Sequence, residues 1–270
     1  MGLLKVNFIE TSNALQHKAE ILKRLHNKTP VIFLDYDGTL TPIVEDPEKA
    51  ILSSEMKNLL RRLAAQYPVA IISGRDLDDV KKMIQVDNLV YAGSHGFDIV
   101  KPGGKVRQNE EGQNYLPFLD RAGNHLHTRL DVIPGINIER KKFAIAVHYR
   151  NVEIKYIDQI KKTTDEVLEM FPDLKKGEGK KIIELQPNIE WHKGKAVRWL
   201  LQSQPRTTRE PVPVYIGDDL TDENAFDTLA GDGLTVLVGD HGRKTSAHYR
   251  LENVNQVKQF LNFLLEIEDS

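Results

Sequence analysis

The chain has 270 residues, of which 40% are hydrophobic and 28% charged, a composition typical of a folded globular protein with one or two domains. Its 37 basic and 39 acidic residues give a formal net charge of −2. That balance lacks the basic excess that binding to a phosphate backbone requires, so nucleic acid is excluded as a general partner. The sequence contains no cysteine, which excludes disulfides, thiolate metal sites and cysteine nucleophiles together.

The sequence predicts no contact with a membrane. Its apolar runs fall short of the ~18 residues that a membrane span needs. The start, MGLLKVNFIE, has no basic segment followed by an apolar core, so we expect no secretion signal. Met1-Gly2 is similar to the start of a myristoylation motif, but Val6 stands where Ser or Thr is needed. We therefore expect a cytoplasmic protein without a membrane partner.

Short apolar runs alternate with helical patterns near both ends of the chain. The runs at 31–38, 68–75 and 211–219 each stop at acidic residues or glycine, which is typical of strands buried on both faces of a parallel sheet. Between the first two, residues 52–67 carry apolar side chains at helical spacing after Ser53, a good N-cap. The pattern predicts an α/β fold built on a Rossmann-like, doubly wound parallel sheet.

The middle of the chain has a different character, with charge-rich segments, frequent glycines and shorter strands. Residues 135–150 predict two strands joined by a basic turn, 156–171 a single amphipathic helix, and 179–187 another strand. The predicted domains are a core over 1–109 and 188–270 and an inserted α+β domain over 110–187.

Acidic and hydroxyl side chains follow three of the predicted core strands. Asp35 and Asp37 come after the first, Ser73 after the second, and Asp218 with Asp222 after the third. The carboxyl ends of parallel strands meet at one edge of a sheet, where ligands bind. Like charges ~4 Å apart cost about 4 kcal/mol at an effective dielectric of ~20, so such carboxylates must take up a proton or a cation. Oxygen ligands favour a hard ion, and we expect Mg²⁺.

These residues resemble, in order, the four motifs of the haloacid dehalogenase superfamily of phosphotransferases. The matching segments are DYDGTLTP (35–42), Ser73, Lys193 in HKGKA, and GDDLTDENAF (217–226). The match is ordered and covers the whole core. It implies the haloacid dehalogenase fold with an inserted cap domain that selects the substrate.

The resemblance also implies catalytic roles. Asp35 would be the nucleophile that becomes an aspartyl phosphate, and Asp37 would protonate the leaving oxygen and then deprotonate the hydrolytic water. Thr39 and Ser73 would hydrogen-bond phosphate oxygens. Lys193 would counter the charge on Asp35 and the phosphoryl group. Mg²⁺ would be held by the carboxylates of Asp35 and Asp218 and the Tyr36–Asp37 backbone, supported by Asp219 and Asp222.

Longer stretches, several of them in the inserted domain, resemble the trehalose-6-phosphate phosphatases. They are LDYDGTLTPIVEDPEKA (34–50), IISGRD (71–76), GSHGFDI (93–99), INIERKKFAIAVHYRNV (136–152), GKKIIELQP (179–187), WHKGKAV (191–197) and VYIGDDLTDENAF (214–226). The resemblance implies hydrolysis of trehalose 6-phosphate, a small-molecule sugar phosphate, and functional pairing with a trehalose-phosphate synthase. Plant-like members usually have Arg-Pro where this chain has Gln186-Pro187, which puts the role of that arginine in doubt here.

The family implies a set of alternating acidic and basic cap side chains that grip sugar hydroxyls. The matching positions are Glu139, Lys141, Lys180 and Glu184. Glu139 and Lys141 are two residues apart on a predicted strand and so share a face. The alternative is an exposed set of cross-strand ion pairs worth under ~1 kcal/mol.

Three further residues are predicted to bind substrate, each with a structural alternative. Arg150 shares a strand face with small residues that leave room for a ligand or for a closely packed helix. His95 matches a motif at the junction of core and cap, but a single histidine is often a satisfied structural group. Arg75 would orient either the substrate or the junction.

Three rival functions remain open from the sequence. The first is a phosphatase of another sugar phosphate, such as sucrose phosphate or mannosylglycerate phosphate. The second is a phosphomutase, which must exclude water from the aspartyl phosphate. The third is a catalytically silent, phosphatase-like regulatory module, although such a module needs none of the motif residues that this chain retains.

Overall fold

The computed structural model describes residues 11–44, 46–104, 106–179, 181–204 and 208–267. The chain divides into two compact units, Met1–Val106 with His192–Ser270 and Arg107–Trp191. The predicted inserted domain at 110–187 lies inside the second unit. That this domain is a substrate-specificity cap stays a prediction.

The strands form two sheets. In chain order they are β1 Thr29–Leu34, β2 Val69–Ile72, β3 Val90–Gly93, β4 Asp98–Val100, β5 Val106–Gln108, β6 Asn137–Lys141, β7 Ala144–His148, β8 Leu174–Gly179, β9 Ile182–Pro187, β10 Pro211–Gly217, β11 Leu234–Val238 and β12 Tyr249–Leu251. The larger sheet has eight strands in the order β12-β11-β10-β1-β2-β3-β4-β5. From β12 to β3 all neighbours are parallel, while β4 runs antiparallel to β3.

Helices cover both faces of this sheet. In chain order the helices are α1 Lys18–Leu25, α2 Ser54–Gln66, α3 Leu77–Ile84, α4 Glu110–Gln113, α5 Leu116–Leu130, α6 Ile157–Met170, α7 Lys193–Gln202, α8 Leu220–Leu229 and α9 Val254–Leu265. On one face Ile32 and Leu34 pack with α1, α2, α3 and α9; on the other, Val31 and Phe33 pack with α7 and α8. The alternation of β1 side chains between two cores confirms the predicted doubly wound α/β fold.

The second unit has its own core. Its four-stranded antiparallel sheet has the order β6-β7-β9-β8. Ile145 and Leu185 pack with α5 and α6 on one face. Side chains alternate along a strand, so Glu139, Ala146 and Glu184, which are neighbours in the register, line the other face. We call this the polar face of the second unit.

Across the ranges that the structure describes, we find no helix with both the length and the apolar character needed to cross a bilayer.

Candidate active site

The three predicted strand ends meet at one edge of the larger sheet. β1 lies between β2 and β10, with Leu34 in register with Ile71 on one side and Ile216 on the other. The next residues along the chain are Asp35 after β1 and Ser73 after β2, and both are buried. Asp35 N donates to Ile216 O at 2.9 Å, so the backbone of β10 fixes the start of the acidic segment.

Lys193, the first residue of α7, connects two buried carboxylates. Its Nζ donates to Asp35 Oδ1 at 2.7 Å and to Asp222 Oδ1 at 2.8 Å. The Lys193 side chain is 3% exposed, that of Asp35 8% and that of Asp222 0%. Burial alone would lower the pKa of Lys193, but the Asp222 and Asp35 carboxylates raise it. The lysine therefore stays charged between the two acids.

Asp222 is held by four hydrogen bonds. Its Oδ1 accepts from Lys193 and from the Tyr215 hydroxyl at 2.6 Å, and its Oδ2 accepts from Asp218 N at 3.1 Å and Asp219 N at 3.0 Å. Asp219 and Asp222 also form the capping box that begins α8. Both oxygens of Asp222 are thus engaged in fixing Lys193 and the turn after β10.

Asp35, Asp218 and Asp222 each offer a carboxylate oxygen within 4.8 Å of the others. Burial raises the pKa of Asp35 to about 7; Lys193 opposes this shift and Asp222 adds to it. Burial, with Asp35 and Asp222, raises the pKa of Asp218 to about 9. One lysine therefore does not balance the negative charge of the cluster, which suits an added cation with oxygen ligands.

Gly38 allows the Asp218 carboxylate to approach the first motif. A Cβ at Gly38 would overlap that carboxylate, and the φ of Gly38 is +78°. Glycine is the residue that adopts this backbone conformation without strain. The DxDG pattern therefore brings the acidic end of β10 against the turn after β1.

Asp37 and Arg75 form a bidentate ion pair. Arg75 Nε donates to Asp37 Oδ2 at 2.7 Å, and Nη2 donates to Oδ1 at 2.6 Å. The Arg75 side chain is 16% exposed and that of Asp37 42%. The second motif is thereby tied to the first through side chains.

Two buried hydroxyls each lie two residues along the chain from a member of this ion pair, Thr39 from Asp37 and Ser73 from Arg75. Thr39 is fully buried, and its Oγ1 has no hydrogen-bond partner among the described residues. Ser73 is 1% exposed, and its Oγ accepts a bond from Arg75 N at 3.1 Å. A buried hydroxyl without a partner carries a cost that a bound acceptor would remove.

Residues 94–96 form a tight turn that supports the loop after β2. Ser94 and His95 both have positive φ, 48° and 57°. Ser94 N donates to Arg75 O at 2.7 Å, and His95 N donates to Ser73 O at 2.8 Å. A Cβ at Gly74 would come within 2.8 Å of the His95 ring. The turn thus holds the Ser73–Arg75 backbone, while substrate contact by His95 stays a prediction.

The polar face of the second unit carries paired charges above small residues. Lys141 Nζ donates to Glu184 Oε1 at 2.7 Å, and Gln186 Nε2 donates to Glu184 Oε2 at 2.8 Å. His148 Nε2 lies 2.9 Å from Glu139 Oε2, and that contact, together with Lys141, lowers the pKa of Glu139. Ala146 and Gly177 are the register neighbours of Glu184.

The structure brings the predicted residues together in two groups. In the first unit they are Asp35, Asp37, Thr39, Ser73, Arg75, His95, Lys193, Asp218, Asp219 and Asp222. In the second unit Glu139, Lys141 and Glu184 share the polar face. The prediction that Arg150 shares a strand face with small residues is wrong, because β7 ends at His148 and Arg150 is exposed in the turn that follows. Lys180 lies outside the described residues. Sequence reasoning missed Tyr215, His148 and Gln186 as partners of site residues, although each lies inside one of the segments that carry the family resemblance.

Comparison with known proteins identifies the family. The family model for trehalose-phosphatase matches residues 33–255. Trehalose-phosphate phosphatase B of Arabidopsis thaliana is 39% identical over 268 residues, which cover 94% of this chain and 71% of that protein. The solved C-terminal domain of Candida albicans trehalose-6-phosphate phosphatase is 26% identical, with a TM-score of 0.79 and coverage of 93% of this chain and 97% of that one.

A haloacid dehalogenase-like hydrolase from Bacteroides thetaiotaomicron, 16% identical, superimposes with a TM-score of 0.63 over 88% of this chain and 100% of that one. This likeness confirms the predicted haloacid dehalogenase fold. The family match and the Arabidopsis relative together establish that the chain belongs to the trehalose-phosphatase family.

Proposed function

We propose that the protein hydrolyses trehalose 6-phosphate to trehalose and inorganic phosphate through a phosphorylated Asp35. The observation that carries this proposal is the buried bond from Lys193 to Asp35 at the carboxyl end of β1, within a cluster of carboxylates. The membership of the chain in the trehalose-phosphatase family supports the substrate.

In the first step an Asp35 oxygen attacks phosphorus and the bond from phosphorus to the sugar oxygen breaks. Lys193 occupies Oδ1, so we assign the attack to Oδ2. A carboxylate and a phosphate repel each other, and the charge of Lys193, fixed by Asp222, offsets that repulsion in a water-poor site. The covalent intermediate divides one difficult hydrolysis into two easier displacements.

Asp37 supplies and then removes a proton. It protonates the sugar oxygen as the first bond breaks, and it takes a proton from water in the second step, when the phosphorus–Asp35 bond breaks. Its half-exposed side chain is compatible with exchange between substrate and water. The Thr39 and Ser73 hydroxyls donate to phosphate oxygens, which gives the buried Thr39 Oγ1 a partner.

We propose Mg²⁺ as the cofactor, held by Asp35, Asp218 and the Tyr36–Asp37 backbone. The donor set is made of oxygens, and burial together with neighbouring carboxylates raises the pKa of Asp35 and Asp218, a cost to their charged forms that a bound cation would offset. Asp219 and Asp222 support the site by capping α8. When bound, the ion neutralises charge on the nucleophile and the phosphoryl group.

Metal binding can be measured without turnover. Saturating Mg²⁺ should raise the melting temperature of the wild-type protein. At a Mg²⁺ concentration of 100 times Kd, binding should add about 2.7 kcal/mol to the free energy of unfolding. Asp218→Asn should abolish that shift, while Asp232→Asn, an exposed carboxylate elsewhere in the first unit, should retain it. An equal shift in Asp218→Asn would contradict the proposed ligand.

We propose that the polar face of the second unit binds the sugar. The Glu139 and Glu184 carboxylates are hydrogen-bond acceptors and the Lys141 ammonium is a donor, and small residues lie beside them in the sheet. This combination suits sugar hydroxyls, which both donate and accept hydrogen bonds. Lys180, Arg150, His95 and Arg75 remain predicted contributors to substrate binding. We also propose a cytoplasmic enzyme that receives its substrate from a trehalose-phosphate synthase.

The test is release of inorganic phosphate from a panel of substrates, with and without Mg²⁺. We expect the highest kcat/KM for trehalose 6-phosphate and loss of activity when the metal is chelated. A higher kcat/KM for sucrose phosphate or mannosylglycerate phosphate would change the substrate but keep the chemistry. Binding of trehalose 6-phosphate without release of phosphate in Mg²⁺ would instead indicate a silent regulatory module.

A further inference from the structure

Arg75 fixes both oxygens of the proposed general acid and base. The two N–H groups of one guanidinium face the two oxygens of Asp37 at 2.7 and 2.6 Å. This parallel arrangement sets the plane and direction of a carboxylate, which a single-point ammonium does not do. Asp37 therefore has one defined orientation although its side chain is 42% exposed.

The arginine is itself held from several sides. Its guanidinium lies 5.6 Å from the centre of the Tyr36 ring, and its backbone N donates to Ser73 Oγ at 3.1 Å. Its carbonyl accepts from Ser94 N at 2.7 Å. Tyr36 is fully buried, with its hydroxyl bonded to Ala50 O at 2.6 Å. Arg75 is thus a rigid support and not a solvated surface cation.

Such a support favours one of the two tasks of Asp37. The two guanidinium bonds fix the plane of the Asp37 carboxylate, so its remaining lone pairs point in set directions, as a group that receives a proton from water requires. Donation to the sugar oxygen would place a hydrogen on an oxygen that already accepts from Arg75, and the bond to that oxygen would weaken. The geometry is ready for the second step, in which Asp37 takes a proton from water.

We propose that Arg75 is a positioning residue that orients Asp37 as the general base for hydrolysis of phosphorylated Asp35. This inference rests on the proposed function. In the step concerned, water oxygen attacks phosphorus, the bond to Asp35 breaks, and its electron pair returns to the Asp35 carboxylate. The water proton goes to Asp37, and orthophosphate leaves.

This role differs from the substrate contact predicted for Arg75 from the sequence. A sugar contact would affect substrates according to their sugar. A support for Asp37 would affect loss of phosphate from Asp35, which is the same intermediate for every substrate. The two roles therefore separate in the kinetics.

The experiment compares wild type, Arg75→Lys and Arg75→Gln with p-nitrophenyl phosphate, whose phenolate leaves without a proton donor. In a single-turnover measurement, the decay of phosphorylated Asp35 should slow about tenfold in Arg75→Lys and further in Arg75→Gln, and the second step should then limit kcat; unchanged decay in both variants would overturn the inference. KM should fall by the same factor as kcat, because kcat/KM reports the step that forms the intermediate. Mass spectrometry of acid-quenched protein should show more phosphorylated Asp35 in both variants at steady state.

Arg198→Lys is the matched control. Arg198 also pairs with an aspartate in the first unit, Asp232, at 3.3 Å, and both side chains are exposed, by 46% and 68%. Its kinetics should equal those of wild type, and thermal melting should show that all the variants are folded.

Two further outcomes would overturn the inference. A fall in kcat/KM confined to trehalose 6-phosphate, with no added phosphoenzyme on the aryl substrate, would make Arg75 a sugar contact. A fall in kcat/KM for both substrates, with no added phosphoenzyme, would make its role structural. A wild-type protein that forms no phosphoenzyme and releases no phosphate would instead refute the proposed function, before any variant is compared.

Discussion

The two units each pair a lysine with a carboxylate at 2.7 Å, but in different surroundings. In the first unit Lys193 and Asp35 are 3% and 8% exposed. In the second, Lys141 and Glu184 are 18% and 17% exposed, and the adjacent Glu139 is 47% exposed. The two ion pairs have equal lengths, but the Lys193 cluster is almost sealed from water, while water still reaches the Lys141 cluster.

The difference in burial fits the proposed division of labour, in which the first cluster carries the chemistry and the second binds the sugar. A sealed cluster keeps its charges fixed and unscreened, which suits a nucleophile that must meet a phosphate. A partly solvated cluster above Ala146 and Gly177 can exchange water for sugar hydroxyls at lower cost. Substitutions in the first cluster should accordingly affect turnover and stability, and those in the second should affect KM.

The largest expected effect is that of Asp35→Asn on turnover. The amide is a poor nucleophile, so we expect a loss of about 10³-fold or more at saturating Mg²⁺. The shape of the site is kept, and the protein should still unfold cooperatively. A discontinuous assay of phosphate release, with samples quenched at set times, tests this prediction. Full turnover by the variant would falsify the assignment of Asp35 as nucleophile.

Lys193→Met should test the sealed cluster through stability. Removal of the lysine leaves Asp35 and Asp222 buried without their shared partner, and we expect a loss of about 3–5 kcal/mol in the free energy of unfolding. The control is Lys258→Met, because the Lys258–Glu55 pair is exposed and should be worth less than ~1 kcal/mol. Urea denaturation without metal measures both; similar losses would erase the distinction between the clusters.

Much of the first cluster could be predicted because strand ends are encoded locally. An apolar run that stops at Asp35, Ser73 or Asp218 marks both the end of a strand and the polar side chain placed there, and parallel strands bring those ends together. The pairing of Asp37 with Arg75 could not be predicted, since it depends on side-chain directions across two loops. The position of Tyr215 under Asp222 was missed because a tyrosine in an apolar strand is equally typical of a core.

The second unit was predicted in outline and less well in detail. The basic turn between β6 and β7 and the helix α6 match the predicted elements. Helix α5, Leu116–Leu130, was not predicted, although Leu119, Leu126 and Leu130 recur at helical spacing. The bond from Gln186 to Glu184 depends on side chains two residues apart on one strand face, a contact that periodicity permits but does not specify.

Glu184→Ala tests whether the partly exposed cluster of the second unit affects substrate binding and not the chemical step. The change removes an acceptor that Lys141 and Gln186 hold in place, and we expect KM for trehalose 6-phosphate to rise about tenfold or more. Turnover of p-nitrophenyl phosphate, which has no sugar, should change little. Glu166→Ala, which removes a carboxylate paired with Arg129 in the same unit, is the control and should leave both values unchanged. An equal rise in KM for both substrates would contradict sugar binding at the polar face.

Tyr215→Phe is expected to have the smallest effect. It tests whether the sealed cluster of Lys193, Asp35 and Asp222 also depends on a neutral neighbour. The Tyr215 hydroxyl donates at 2.6 Å to the same Asp222 oxygen that accepts from Lys193. Without that donor, Asp222 should draw Lys193 more strongly and weaken its bond to Asp35. We expect a loss of about 1 kcal/mol of transition-state stabilisation, or about fivefold in kcat, with KM unchanged.

The matched control is Tyr67→Phe. It removes another buried hydroxyl, bonded to Leu264 O at 3.0 Å, from the apolar core of the same unit. Both variants should lose similar stability, but only Tyr215→Phe should lose turnover. Equal kcat values in the two variants would mean that Tyr215 serves only packing and that the three charged residues alone set the charge on Asp35. A loss of turnover in Tyr215→Phe alone would extend the cluster through a neutral side chain that does not contact the reacting atoms.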